Sequence, residues 1–134
     1  VIGGEGNGGI IDPQLHYGRD SLIGTALFLS LLSGLELSVS ELKKTYPEYF
    51  MSKGKIELEP SMEVDHLLNE IKKKYTDNKP NTIDGVKIDF ENSWVHIRKS
   101  NTEPIIRVYT EAPSQLDADD LMNRFKAELL AFGN

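Results

Sequence analysis

The segment Arg98-Lys99-Ser100-Asn101-Thr102-Glu103-Pro104-Ile105-Ile106-Arg107 concentrates groups that can recognise an anion. Ser100, Asn101 and Thr102 place hydroxyls and a side-chain amide beside turn N–H groups. An arginine flanks them on each side. The alternation of apolar residues sets the faces: Val95 and Ile97 point to one side, so Trp94, His96 and Arg98 point to the other. Ile106 and Val108 do the same for Arg107 and Tyr109. In a hairpin of symmetric register Arg98 and Arg107 share the open face. Like charges directly opposite each other are unfavourable without an anion between them. A phosphate suits that place, because guanidinium forks match its oxygens and the turn supplies neutral donors. Each charge-assisted hydrogen bond contributes about 1.5–3 kcal/mol. The plainer reading of the same residues is a polar hairpin loop with one surface arginine on each strand.

A second candidate is Gly4-Glu5-Gly6-Asn7-Gly8-Gly9. Its glycines let the backbone approach a ligand. The Glu5 carboxylate accepts and the Asn7 amide both donates and accepts, which suits adjacent hydroxyls of a polyol. A plain glycine-rich turn is the other reading. The spacing is neither that of a P-loop nor that of a dinucleotide fingerprint. Elsewhere, His96 either contacts a ligand on the open face or is a solvated strand histidine, and Trp94 either covers a ligand or packs at a strand start. His66 reads as surface, Lys72-Lys73-Lys74 as a solvated helix C-terminus, and His16 has no assigned role.

Regular elements must position these groups. Asp20 caps a helix that Gly34 is expected to stop, and residues 22–32 within it are apolar nearly all round, as in a domain core. Ser38-Val39-Ser40-Glu41 is a capping box for a second helix, ending before Pro47. From about residue 53 the rhythm changes. Ile56 and Leu58 alternate with charged residues as on a half-buried strand. Pro60-Ser61 opens a helix carrying Val64, Leu67, Leu68, Ile71 and Tyr75 on one face. Val86, Ile88 and Phe90 mark a second strand, Trp94 to Arg98 a third and Ile105 to Glu111 a fourth. Asp117 caps a last helix with Leu121, Phe125, Leu129 and Phe132 inside. The order β-α-β-β-β-α predicts an α+β domain: a four-stranded, mostly antiparallel sheet with two helices on one face.

Composition narrows the classes. In 134 residues there are 15 Lys+Arg against 21 Asp+Glu, a net charge of −6, which argues against nucleic acid and anionic membranes as partners. Hydrophobic residues at 39% and charged residues at 27% describe a globular chain. No apolar run reaches the roughly 18–20 residues of a membrane span. The chain has no Cys, which excludes disulfides, thiol chemistry and Cys-ligated metal, and three scattered His argue against a His-rich metal site. These features fit a cytoplasmic location. The opening Val1-Ile2-Gly3-Gly4 reads as a buried strand entering a loop, and so as the start of a fragment.

Taken together, the two candidate segments resemble the C-terminal part of the α-D-phosphohexomutases, the family of phosphoglucosamine mutase, phosphomannomutase and phosphoglucomutase. Arg98 to Thr102, with Glu103-Pro104 and Arg107, is similar to that family's phosphate-binding loop. Gly4, Glu5 and Gly8 resemble its sugar loop, although many members carry Ser at the position of Asn7 and His at that of Gly9. The resemblance implies that residues 1–48 are the C-terminal remnant of the third domain. Residues 49–134 would be the fourth, phosphate-binding domain, with the TATA-binding-protein-like α+β fold and a hinge near residues 47–54. It further implies that Arg98, Ser100, Asn101, Thr102 and Arg107 hold the substrate phosphate, and that Glu5 and Asn7 read the sugar hydroxyls.

The implied parent is an intramolecular phosphotransferase of the isomerase class in carbohydrate metabolism. It would move a phosphoryl group between the C1 and C6 oxygens of a hexose phosphate, by resemblance glucosamine phosphate, with magnesium. The family's phosphoserine and metal loops are absent from this sequence. The chain is therefore expected to hold no catalytic residue and no metal ligand, and to be inactive alone. Its partners would be the hexose phosphate and the remaining domains of the parent. Left without the sheet it should cover, the helix at 21–33 is expected to self-associate or to fold onto the following domain. The alternative is a stand-alone phosphosugar- or anion-binding module, or an interaction module, without catalysis.

Overall fold

The computed structural model describes residues 2–4, 8–58 and 62–133. The chain divides into two compact units, Val1–Pro47 and Glu48–Asn134. In the first, β1 (Gly3–Gly4) pairs antiparallel with β2 (Ile10–Ile11), Gly3 lying opposite Ile11. Helix α1 (Ser21–Leu35) follows. The Asp20 carboxylate caps it, accepting from the Leu22 and Ile23 amides at 2.8 and 3.0 Å. His16 finds its role here: its Nε2 lies 3.1 Å from the second Asp20 oxygen. The Ile23 amide first, and then His16, hold the Asp20 carboxyl below its ordinary range. The helix end differs from expectation. It passes through Gly34 and stops at Glu36, a left-handed residue at φ 52. Ser38 already caps α2 (Val39–Lys44) through the expected box with Glu41, so the reversal must fall just before it. No residue of α1 is buried. No helix among the described residues is long and apolar enough to cross a membrane.

The second unit follows the expected order. Its strands are β3 (Phe50–Glu57), β4 (Val86–Asp89), β5 (Trp94–Lys99) and β6 (Ile105–Ala112). They form one antiparallel sheet in the order β3-β6-β5-β4. Its first strand begins at Phe50, earlier than the alternation suggested, because the ladder with β6 runs from Phe50 opposite Ala112 to Glu57 opposite Ile105. Much of the stretch expected to act as a hinge is thus laddered strand.

Helices α3 (Val64–Lys74) and α4 (Gln115–Phe132) cover one face of the sheet. Val64, Leu67, Ile71 and Tyr75 are buried as the period of α3 requires. The expected opening at Pro60-Ser61 lies outside the described residues, and Glu63 stands at the N-cap. On α4 the cap is Ser114, not Asp117. The Ser114 hydroxyl accepts from the Asp117 amide at 3.1 Å, which makes Asp117 the third helical residue. Ile88, Val95, Ile97, Ile106, Val108 and Phe125 are fully buried between the layers. At Gly54 a Cβ would meet the Met122 sulfur at 2.6 Å, so a glycine there lets α4 cross close to β3.

A polar cluster closes the contact between α3 and α4. The Tyr75 hydroxyl donates to the Glu128 carboxylate at 2.9 Å, Lys74 Nζ lies 3.1 Å from it, and Arg124 Nε 3.3 Å. Lys74 is therefore a tie between helices as well as part of a basic helix end. Burial pushes the Glu128 carboxyl up, but hydrogen bonds from Lys74, Tyr75 and Arg124 outweigh it and hold it below its ordinary 4.5. A carboxylate with a depressed folded pKa stabilises the fold fully above its unfolded value and less as pH falls through the folded one. The urea midpoint of the chain is thus expected to drop on acidification below about pH 4.5, and Glu128→Gln should reduce that slope. An identical slope in the variant would refute the assignment.

Candidate anion-binding site

The pairing of β5 with β6 sets the site. Arg98 lies directly opposite Arg107 on the face away from the helices. Lys55 of β3 lies opposite Arg107 on the other side, so three cations stand in register across three strands. The next row along the strands is Lys53, Tyr109, His96 and Lys87. Like charges this close need compensation. Asp84 supplies it for Arg98, at 3.1 Å from Nη1, Glu103 for Arg107 at 2.7 Å, and Glu57 for Lys55 at 3.2 Å. All three acids are well exposed, so these pairs contribute little stability.

Tyr109 sits among the arginines. Its ring lies 5.9 Å from the Arg98 guanidinium carbon and 6.4 Å from the His96 ring. Burial pushes the Tyr109 phenol up, but hydrogen bonding with Arg98 and Arg107 pulls it below its ordinary value. The same contact with Tyr109, and after it Asp84, raises Arg98 further against the cost of burial. Arg98 Nε is buried and has no hydrogen-bond partner among the described residues. An unpaired charged donor at that depth is costly unless a ligand takes it.

The loop between β5 and β6 leaves its donors loosely engaged. Its ends are closed by Ser100 N–H to the Ile105 carbonyl at 3.0 Å and Leu58 N–H to the Pro104 carbonyl at 3.0 Å. Inside, the buried Ser100 hydroxyl oxygen lies 3.5 Å from both the Thr102 amide and the Thr102 hydroxyl, the outer limit for such bonds. The Asn101 and Glu103 amides have no acceptor among the described residues. The structure thus brings Arg98, Ser100, Asn101, Thr102 and Arg107 to one corner of the sheet. Glu5 and Asn7 lie outside the described residues.

The other single residues take structural partners. His96 Nε2 donates to the Asp84 carbonyl at 2.6 Å, and Trp94 Nε1 donates to Glu111 at 2.9 Å. Sequence reasoning put Tyr109 on the open face and Glu103 in the loop without giving either a role, and it missed Asp84 and Lys55. No periodic signal marks Asp84, which lies between strands, and Lys55 joins the site only through the pairing of β3 with β6. A cavity of about 440 Å³, lined by Asn92, Ser93, Pro113, Asp117 and Arg124 among others, lies toward the far end of the sheet and takes in none of these groups. Among the described residues no group of three or more His, Asp or Glu could hold a metal ion.

Comparison with known proteins agrees with this architecture. Residues 55–128 match the family described as phosphoglucomutase/phosphomannomutase, C-terminal domain. The chain is 40% identical over 128 residues to a phosphoglucosamine/phosphogalactosamine mutase of Sulfurisphaera tokodaii, covering 94% of this chain and 28% of that protein. It is 38% identical over 125 residues to a phosphoglucomutase/phosphomannomutase of Thermococcus kodakarensis, covering 91% and 27%. The chain therefore spans under a third of the length of these relatives. In fold it is similar to a phosphoglucomutase/phosphomannomutase family protein from Burkholderia thailandensis, with a TM-score of 0.71 at 23% identity over 98% of this chain and 28% of that one. It is also similar to an Aspergillus fumigatus N-acetylphosphoglucosamine mutase solved with GlcNAc-6P and magnesium, with a TM-score of 0.55 at 19% identity over 89% of this chain and 22% of that one. The sheet with its two helices, and the sequence match across most of it, place this chain in the phosphoglucomutase/phosphomannomutase family, of which it carries the C-terminal domain.

Proposed function

We propose that this chain is the substrate-binding portion of a phosphohexomutase acting on glucosamine phosphate, and that it holds the phosphate that is not being transferred. The observation that carries this is the in-register pair Arg98 and Arg107 beside a loop whose hydroxyls and amides are left loosely bonded. Arg98, Ser100, Asn101, Thr102 and Arg107 bind the phosphate. Glu5 and Asn7 read the sugar hydroxyls. A charged handle gripped at one end of the sugar orients the distant reacting oxygen, converting binding energy into positioning. The choice of glucosamine phosphate is supported by relatives named phosphoglucosamine mutase at up to 40% identity.

In this reading residues 1–48 belong to the third domain of the parent and 49–134 form the fourth. The division of the chain between Pro47 and Glu48 supports it. The phosphoserine and the magnesium of the parent reside in domains other than these, so the chain binds hexose phosphate without transferring it. Titration with glucosamine 6-phosphate, mannose 6-phosphate and inorganic phosphate is expected to move the amide resonances of Arg98, Ser100, Asn101 and Thr102. No movement at millimolar ligand would overturn the reading.

The same reading makes α1 a helix whose apolar sides belong against other parts of the parent. Leu27, Phe28, Leu29 and Leu31 are all exposed in this chain. We expect light scattering to show dimers or larger assemblies, reduced by Phe28→Glu. A monomer at all concentrations would refute this.

A further inference from the structure

We propose that the Asp84–Gly85 turn is a positioning element of the phosphate site, with Asp84 setting the Arg98 guanidinium for the ligand. The inference rests on the phosphate-binding reading and deepens it. Three observations converge on the turn. The Asp84 carboxylate accepts from Arg98 Nη1 at 3.1 Å. The Asp84 carbonyl accepts from His96 Nε2 at 2.6 Å, and His96 stands two residues before Arg98 on the same face of β5. Gly85 presses the turn onto β5. Its φ is +66, and a Cβ there would lie 2.2 Å from the Ile97 carbonyl oxygen and 2.8 Å from the Arg98 Cβ. Only glycine permits that approach.

The turn is also fixed at its base. Asn81 and Lys87 exchange two backbone hydrogen bonds of 2.8 Å, and the Asn81 side chain accepts from the Ile83 amide at 3.0 Å. Val86, directly after Gly85, is buried and lies opposite Ile97. The Asp84 carboxylate is therefore delivered to one edge of the guanidinium by a rigid turn. With Nη1 held by Asp84 and the Tyr109 ring alongside, the Nη2 donors remain for a ligand, and Nε is the buried Arg98 donor without a partner among the described residues. A guanidinium oriented before the ligand arrives loses less freedom on binding.

A mere counter-ion would compete with phosphate for Arg98, whereas a positioning residue assists it, so the two roles predict opposite signs. The test titrates the chain and its Asp84→Ala, Asp84→Asn and Arg98→Ala variants with inorganic phosphate and glucosamine 6-phosphate, following backbone amides and the Arg98 Nε–Hε resonance. Asp84→Ala is expected to weaken binding about tenfold, as for the loss of one charged hydrogen bond, and to broaden the Arg98 Nε–Hε signal. Asp84→Asn keeps an oxygen acceptor and should restore most of both. Unchanged or tighter binding in Asp84→Ala, while Arg98→Ala abolishes it, overturns the positioning role and leaves the phosphate site standing. Unchanged binding in Arg98→Ala overturns the site and the inference together. The Asp84 side chain is 63% exposed, so its replacement leaves the core intact.

Discussion

Arg98→Ala is expected to abolish measurable phosphate binding by the chain, a weakening of about a hundredfold or more. A guanidinium fork on a phosphate makes two charge-assisted hydrogen bonds, each contributing about 1.5–3 kcal/mol. Losing both amounts to about 3 kcal/mol or more, and each 1.4 kcal/mol is about a factor of ten in affinity. Stability should change little, because Arg98 is part-exposed, its partner Asp84 is more exposed still, and removing it relieves the like charge opposite Arg107. Arg98→Lys should fall between, keeping the charge without the fork. The measurement is a phosphate titration read at the Ser100, Asn101 and Thr102 amides. Saturation in Arg98→Ala at the wild-type concentration would sink the assignment.

Phe125→Ala is expected to cost about 3–5 kcal/mol of stability, the range for emptying a large aromatic site in a packed core. Phe125 is fully buried on α4. Its ring lies 5.1 Å from Tyr75 and 6.3 Å from Phe90, which joins α3, α4 and the end of β4. The Arg124 guanidinium stands 5.4 Å from the same ring. Against a total stability of about 5–15 kcal/mol for a domain, such a loss brings the C-terminal unit close to unfolding at room temperature. Urea unfolding followed by Trp94 fluorescence should show the midpoint fall sharply, with the loop between β5 and β6 losing its amide dispersion in the same transition. A midpoint within error of the wild type would show that the core does not depend on this residue.

The two predictions differ in how far they were legible beforehand. Phe125 was readable as core from its spacing with Leu121 and Leu129, since a helix repeats its inward face every three to four residues. The outward direction of Arg98 was readable from Val95 and Ile97 in the same way. What these periods report is the face of an element, a local property of the chain.

Partners across the fold carry no such local signal. That Arg98 faces Arg107 depends on the β5–β6 register, which the alternation constrains only to every second residue. Lys55 joins them because β3, more than forty residues away in the chain, takes the place beside β6. Asp84 meets Arg98 because Gly85 allows the turn to press on β5. Glu128 meets Tyr75 only where two helices cross.

Helix ends were legible where the cap lies next to its own backbone donors, as at Asp20 and Ser38. They were misread at Gly34, which α1 passes through to end at left-handed Glu36, and at Asp117, where Ser114 three residues earlier is the cap. By itself, then, the sequence determined the main element types and, in the second unit, their buried faces, because these follow from period, capping and turn chemistry along the chain. Only the tertiary structure decided which charges stand opposite one another and which carboxylate pairs with which arginine. Those contacts arise from strand order and close packing, which join residues far apart in sequence.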